Sequence, residues 1–127
     1  MPSVVATLKV KKDKIDEARS FLRTLAANVR ANEPGTTAYV FHQRKDDPSV
    51  FVVYEKYASD EAFKKHGENL RAQGAGFVAI LDGRPEIVML DEQGHLAEAP
   101  TSNVFVVDAA GTLRTPSLDS VLPGITR

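Results

Sequence analysis

What this chain can fold into is set first by the order of its hydrophobic periods. Residues 3–10 alternate, with Val4, Ala6, Leu8 and Val10 on one face and Val5, Thr7 and Lys9 on the other, the period of a half-buried strand. The period then lengthens: Ile15, Ala18, Phe21, Leu22, Leu25 and Val29 recur at steps of three and four and draw one apolar stripe along a helix. Asp13 is placed to cap this helix, Asp16 and Glu17 suit the positive end of its dipole, and Pro34-Gly35 ends it. Two strand patterns follow, residues 37–43 and 50–57, around a polar turn that confines Pro48. Ser59 opens a second helix, with Asp60 and Glu61 in its first turn and Ala62, Phe63, His66 and Leu70 on its inner face. Gly74 and Gly76 are expected to break that helix before a short apolar face of Phe77, Ile80 and Leu81, and residues 86–90 read as a last strand.

Strand, helix, strand, strand, helix, strand is the order of two split βαβ units. It predicts an α+β ferredoxin-like fold, a four-stranded antiparallel sheet with both helices on one face. Strands this rich in Val, Phe and Tyr are not expected to leave the other face wet, so a homodimer packed sheet to sheet is expected. No long helical pattern follows Leu90. The residues up to Leu90 carry a charge balance of +2 and those after it −3, so the 127 residues divide into a domain, 1–90, and an extension, 91–127. In the extension, residues 103–107 and 112–115 flank Asp108-Ala109-Ala110-Gly111, a four-residue hairpin loop ending in Gly. A lone hairpin is not stable, so this one should dock on the domain or on the partner subunit through Val104, Phe105, Leu113, Leu118, Val121 and Leu122.

Composition removes several function classes. With no cysteine there is no disulfide framework, thiolate metal site or Cys nucleophile. A net charge of −1 gives no basic footprint for nucleic acid. No apolar run approaches the ~18 residues that span a bilayer, and Met1-Pro2-Ser3 opens on a strand pattern without a leader, so a cytoplasmic protein with no membrane attachment is expected.

The imidazoles are His42, His66 and His95. Folding residues 37–43 onto 50–57 brings His42 and Glu55 within a residue or two of being cross-strand neighbours, on a face that alternation alone does not assign. A His with a carboxylate in an apolar cleft can serve as general base, the carboxylate fixing its tautomer. The same residues also fit satisfied structural histidines. No two His stand at ligand spacing, so no metal site is expected, and Ser59 and Ser102 have neither a neighbouring base nor a Gly-x-Ser-x-Gly elbow. Tyr39, Tyr54, Tyr57, Phe41 and Phe51 concentrate aromatic surface in the hairpin, either as core or as the wall of a pocket for a flat ring.

Glu33-Pro34-Gly35 after the first helix, Asp47-Pro48 in the hairpin turn, Phe51-Val52-Val53-Tyr54-Glu55-Lys56-Tyr57 and Ala62-Phe63-Lys64-Lys65-His66 together resemble the antibiotic biosynthesis monooxygenase family. The resemblance implies a dimeric ferredoxin-like barrel with a pocket between sheet and helices, and oxygenation of quinols or aromatic polyketides without metal or flavin. It points to His66 and Glu55 as catalytic residues, His66 as base or substrate ligand and Glu55 orienting it, with His42, Tyr54, Tyr57 and Arg71 as substrate-binding candidates. Haem-degrading members use a Trp, which this chain lacks. Members that repeat the helix His five residues on differ from this chain, where Arg71 stands there, able to bind an anionic or enolate oxygen or to remain a solvated helix residue.

The extension resembles another family. Gly94-His95-Leu96-Ala97-Glu98-Ala99-Pro100-Thr101-Ser102-Asn103-Val104-Phe105-Val106-Val107, Gly111-Thr112-Leu113-Arg114-Thr115-Pro116 and Val121-Leu122-Pro123-Gly124-Ile125-Thr126-Arg127 are similar to a stretch of the class IV pyridoxal-phosphate enzymes, the branched-chain aminotransferase and aminodeoxychorismate lyase group. That resemblance implies that Glu98 would pair with the pyridinium nitrogen and that Gly124, Ile125 and Thr126 would hold the phosphate. The Schiff-base Lys of that family lies upstream, where this chain has its monooxygenase-like segment, and the helix after the Gly-Ile-Thr-Arg run is absent. No cofactor is therefore expected, pyridoxal phosphate included. The leading expectation is a cofactor-independent monooxygenase-like protein for a small aromatic, quinol or enolisable substrate. The alternatives are a non-catalytic dimeric ligand-binding or interaction module, and a pyridoxal-phosphate-related remnant or fusion without its lysine.

Overall fold

The computed structural model describes residues 2–91, 94–98, 106, 107 and 109–114. The elements are β1 (Ser3–Lys9), α1 (Ile15–Asn32), β2 (Thr36–Gln43), β3 (Val50–Tyr57), α2 (Asp60–Ala72), α3 (Gly74–Ile80), β4 (Glu86–Leu90), β5 (Leu96–Glu98), β6 (Val106–Val107) and β7 (Leu113–Arg114). The first five strands form one antiparallel sheet in the order β2-β3-β1-β4-β5. Its first four members have the ferredoxin-like order that the sequence predicts, and the sheet is open rather than closed into a barrel. The fifth is an addition to the expected four: β5 pairs Leu96 with Leu90 and Glu98 with Met89, so the extension begins by lengthening the sheet. Three residues are too few to show a period, which is why β5 is silent in the sequence.

The helix α1 forms because its stripe closes the core. Ala18, Leu22, Leu25 and Val29 are buried and pack with Leu8, Val10, Phe51 and Ile80. Each large side chain so removed from water contributes about 1.5–3 kcal/mol. Asp13 does not cap this helix. Lys14 holds the N-cap position without a side-chain cap, and its N–H donates to the Lys11 carbonyl at 2.9 Å, so Asp13 sits within a turn, one residue too early. Ser59 does cap α2, its Oγ accepting from the Ala62 N–H at 3.1 Å.

The second helix breaks at Gln73, and α3 resumes at once. Gly76 is not the breaker. A Cβ there would lie 2.3 Å from Cε2 of Phe21, so the glycine lets α3 lie against α1 and lets Phe21 meet Phe77 edge to face at 5.0 Å. Gly35 likewise passes beneath the first turn of α2, where a Cβ would come within 2.6 Å of Ala62 Cβ.

Cross-strand rows assign the two faces of the sheet. Tyr39, Glu55 and Val4 are aligned, as are Phe41, Val53, Ala6 and Ile87, and these rows face the helices. On the reverse face Val40, Tyr54, Val5 and Val88 form one row and His42, Val52, Thr7 and Glu86 the next. The reverse face is open: Val40 is 47% exposed, and Val5, Val52 and Tyr54 are half-buried.

In the extension, Val106 pairs with Arg114 and Val107 with Leu113, and Gly111 takes φ 79° in the intervening loop, as the sequence predicts for this hairpin. Leu113 does not dock on its own domain: it and its cross-strand partner Val107 are both 64% exposed in the single chain. Val104, Phe105, Leu118, Val121 and Leu122 lie outside the described residues. Among the described residues no helix is long and apolar enough to cross a membrane.

Candidate active site

The two inward rows form the floor of a cavity of about 600 Å³, with α2 and α3 supplying Phe63, His66, Leu70 and Phe77 as its walls. Small residues leave the space open. Ala6 gives the floor depth, and at Gly67 on the cavity wall a Cβ would meet nothing within 4 Å.

The polar end of the cavity is built around His66, which is 2% exposed. The inner face of α2 turns this residue toward β2 and β3, where Tyr39 and Tyr57 meet its ring at centroid distances of 4.9 and 5.3 Å. Nδ1 lies 2.7 Å from Oε2 of Glu33, itself buried at the end of α1. Thr36 Oγ1 donates to the same Glu33 oxygen at 2.9 Å, and Asn69 Nδ2 donates to the other at 2.9 Å. Burial opposes ionisation of Glu33, but the hydrogen bonds from Asn69, His66 and Thr36 outweigh it and hold the carboxyl below its ordinary range. An ionised carboxylate only accepts, so Nδ1 carries the proton and, in the neutral ring, Nε2 presents its lone pair. That Nε2 is buried and, among the described residues, has no hydrogen-bond partner.

Glu55 lies on the floor of the same cavity, 7% exposed. Burial raises its pKa, although the Tyr57 hydroxyl, donating to Oε2 at 2.5 Å, favours the anion. Burial, followed by the neighbouring Glu55 charge, pushes the Tyr39 and Tyr57 hydroxyls well above the ordinary phenol range, so both remain neutral. The cavity thus ends in a histidine with a fixed tautomer and a buried carboxyl whose pKa burial raises. Its mouth carries Lys64, Glu68 and Arg71, all exposed.

His66, Glu55 and Arg71 therefore share one cavity, and the other expected site residues do not line it. His42 pairs with Val52, not with Glu55, which pairs with Tyr39. The register puts His42 and Glu55 on opposite faces, and His42 is exposed on the reverse one. Tyr54 alternates onto that reverse face for the same reason. Tyr57 is fully buried and braces Glu55 and His66 without reaching the cavity wall. Nor does Glu55 orient His66: that contact belongs to Glu33, which the sequence reading treats only as the end of a helix. One signal pointed to it, an acid at a helix C-terminus, where the dipole disfavours negative charge. Among the described residues no three His, Asp or Glu side chains group as metal ligands.

The aminotransferase-like residues stand apart from this cavity. Gly124, Ile125 and Thr126 lie outside the described residues, and Glu98 is placed by its backbone pairing with Met89. No described residue beyond Ile87 lines the cavity, so the described residues do not assemble a pyridoxal-phosphate cradle there.

A ferredoxin-like sheet with a helix-walled apolar cavity, ending in a buried His and Glu, defines a small α+β cavity protein with acid–base groups. The chain belongs to the antibiotic biosynthesis monooxygenase family, whose model matches residues 1–75, and residues 43–127 also match the model of amino-transferase class IV. The crystal structure of a candidate antibiotic biosynthesis monooxygenase from Caulobacter crescentus CB15 is 41% identical, with a TM-score of 0.66 over 71% of this chain and 87% of that one. The candidate monooxygenase YcnE of Bacillus subtilis is 35% identical over 74 residues, 58% of this chain and 75% of YcnE. A branched-chain-amino-acid aminotransferase of Pseudomonas aeruginosa is 36% identical over 79 residues, 62% of this chain, and the match spans 25% of that enzyme's length. Residues 43–75, where the two family matches overlap, fold here as β3, the whole of α2, the first residues of α3 and the turns that join them.

Proposed function

We propose that this chain is a cofactor-independent monooxygenase for a small aromatic, quinol or enolisable substrate bound between the sheet and α2. The observation that carries this reading is Nε2 of His66, a buried lone pair without a partner among the described residues, on a side chain that lines a large apolar cavity and has its tautomer fixed by Glu33. Such a nitrogen takes the proton from an acidic C–H or O–H of the substrate. Glu55, in its protonated form, which burial favours, donates a hydrogen bond to the oxygen on which the resulting negative charge settles. The apolar walls keep water from that anion while O₂ reacts with it. For an activated methylene, carbon is oxidised to a carbonyl. One oxygen atom enters the product and the other leaves as water with the two hydrogens, and the substrate itself supplies all the electrons.

In this reading residues 1–90 carry the chemistry, and 91–127 form an extension whose first strand completes one side of the sheet. The chain acts as a homodimer, supported by the uncovered row of Val40, Tyr54, Val5 and Val88 on the reverse face. What the aminotransferase relatives do contributes nothing to the reading.

Oxygen uptake with a panel of anthrones, quinols and polyphenols tests it. His66→Ala is expected to lower the rate about 10²–10⁴-fold. Gly67→Leu is expected to abolish uptake while the protein stays folded, because the new side chain enters open space in a helix. Equal uptake by the wild type and His66→Ala overturns the proposal.

A further inference from the structure

We infer that the ligand of this cavity is a hydroxylated or enolisable aromatic acid, with its hydroxyl end at His66 and its carboxylate at Arg71 and Lys64. The inference rests on the reading of the cavity as a substrate site and narrows the class of molecule that fits.

The cavity has two unlike polar ends separated by apolar walls. The inner end holds His66 and Glu55, both buried, and the outer rim carries the exposed Lys64 and Arg71. These two cations stand seven residues apart on α2, two turns along one face, with Glu68 between them on the same rim. The rim therefore carries two positive charges and one negative. Neither cation forms an ion pair among the described residues.

Between the ends lie Phe41, Phe63, Leu70 and Phe77, a lining suited to a flat ring system. His66 and Arg71 are five residues apart on α2, about 7.5 Å along the helix axis and about 140° apart around it, so a ligand that meets both crosses from the buried end of the cavity to its rim. A molecule that places an ionisable C–H or O–H at His66 and extends to the rim brings its far end to the guanidinium. There a carboxylate is matched in charge and in its two-oxygen geometry, with Lys64 as the second cation. A neutral quinol fills the inner end but leaves the rim unused.

Equilibrium binding under argon tests this with a matched pair of fluorescent probes, 6-hydroxy-2-naphthoate and 2-naphthol. At low salt the wild type is expected to bind the acid about tenfold more tightly, and this ratio shrinks as salt screens the exposed rim. Arg71→Gln, and more fully the Lys64→Gln/Arg71→Gln double variant, bring the ratio below about threefold. Arg23→Gln, an exposed charge on α1 outside the cavity, leaves it unchanged. Equal affinities in the wild type, a ratio that survives in the double variant, or a wild type that binds neither probe overturns the inference. Oxygen uptake from a neutral anthrone separates the two readings. His66-dependent uptake with equal probe affinities removes the carboxylate end alone, whereas a charge-dependent ratio without uptake keeps that end and removes the oxygenase.

Discussion

Two histidine–carboxylate pairs in this molecule use the same atoms to opposite ends. His66 meets Glu33 at 2.7 Å, with side chains 2% and 4% exposed, across 33 residues of sequence. His95 meets Asp91 at 3.2 Å, with side chains 77% and 23% exposed, four residues apart. In the second pair water competes for both groups, and the contact does no more than close a turn that the backbone already closes, Gly94 N–H donating to the Asp91 carbonyl and Asp91 N–H to that of His95. In the first pair water is gone, every oxygen of Glu33 is engaged, and the imidazole is left with one defined orientation and one free nitrogen. Burial, rather than the pairing itself, turns a His–carboxylate contact into a device that can direct a proton.

Truncating the carboxylate of each pair's buried version should have the largest effect. Glu33→Ala leaves His66 Nδ1 and Asn69 without their acceptor in a closed interior, and is expected to cost about 3–5 kcal/mol in urea unfolding. A loss below about 1 kcal/mol would place this pair with the exposed one and break the contrast. Tyr57→Phe removes the donor to buried Glu55 and should cost about 1–3 kcal/mol, read in the same way.

The pH dependence of stability sharpens the contrast between the two buried carboxyls. Glu33 is lowered on folding, so its contribution is present above the ordinary carboxylate range and is lost as pH falls through its folded value. Glu55 is raised on folding, so stability declines as pH rises from the ordinary carboxylate value through its folded value. Glu55→Gln should abolish that decline, and an unchanged profile in this variant would show that Glu55 ionises as freely folded as unfolded. The smallest effect belongs to the exposed pair: His95→Ala should shift the unfolding midpoint by no more than about 0.5 kcal/mol of stability.

Legibility in the sequence followed the range of the interactions. The strand of Val4 to Leu8, the stripe from Ala18 to Val29 and the Ser59 cap all rest on contacts within a few residues or on a repeated period, and each was readable. His66 was readable as a candidate because a polar residue on an apolar helix face is conspicuous, whereas Glu55, its face unassigned, came forward through the resemblance of its strand to the monooxygenase family. Their partners were not. Glu33 reaches His66 only after the chain has folded, and the facing of His42 depended on a register that shifts between Thr36 and Ala38. Lys64 gave no signal at all, since a lysine on a helix surface is ordinary until a cavity opens beside it.

The short β5 strand has a consequence for how copies of this protein can accumulate. Uncontrolled growth of a sheet into a fibre needs a long free edge on each side, so that every added copy offers a fresh template. Here β2 leaves one side with an eight-residue edge, while on the other side, among the described residues, the three-residue β5 pairs with Met89 and Leu90 at the end of β4. Among the described residues, two copies joined through their β2 edges would offer at either end a shorter and more interrupted template than the edge they had covered, which disfavours further edge-to-edge growth.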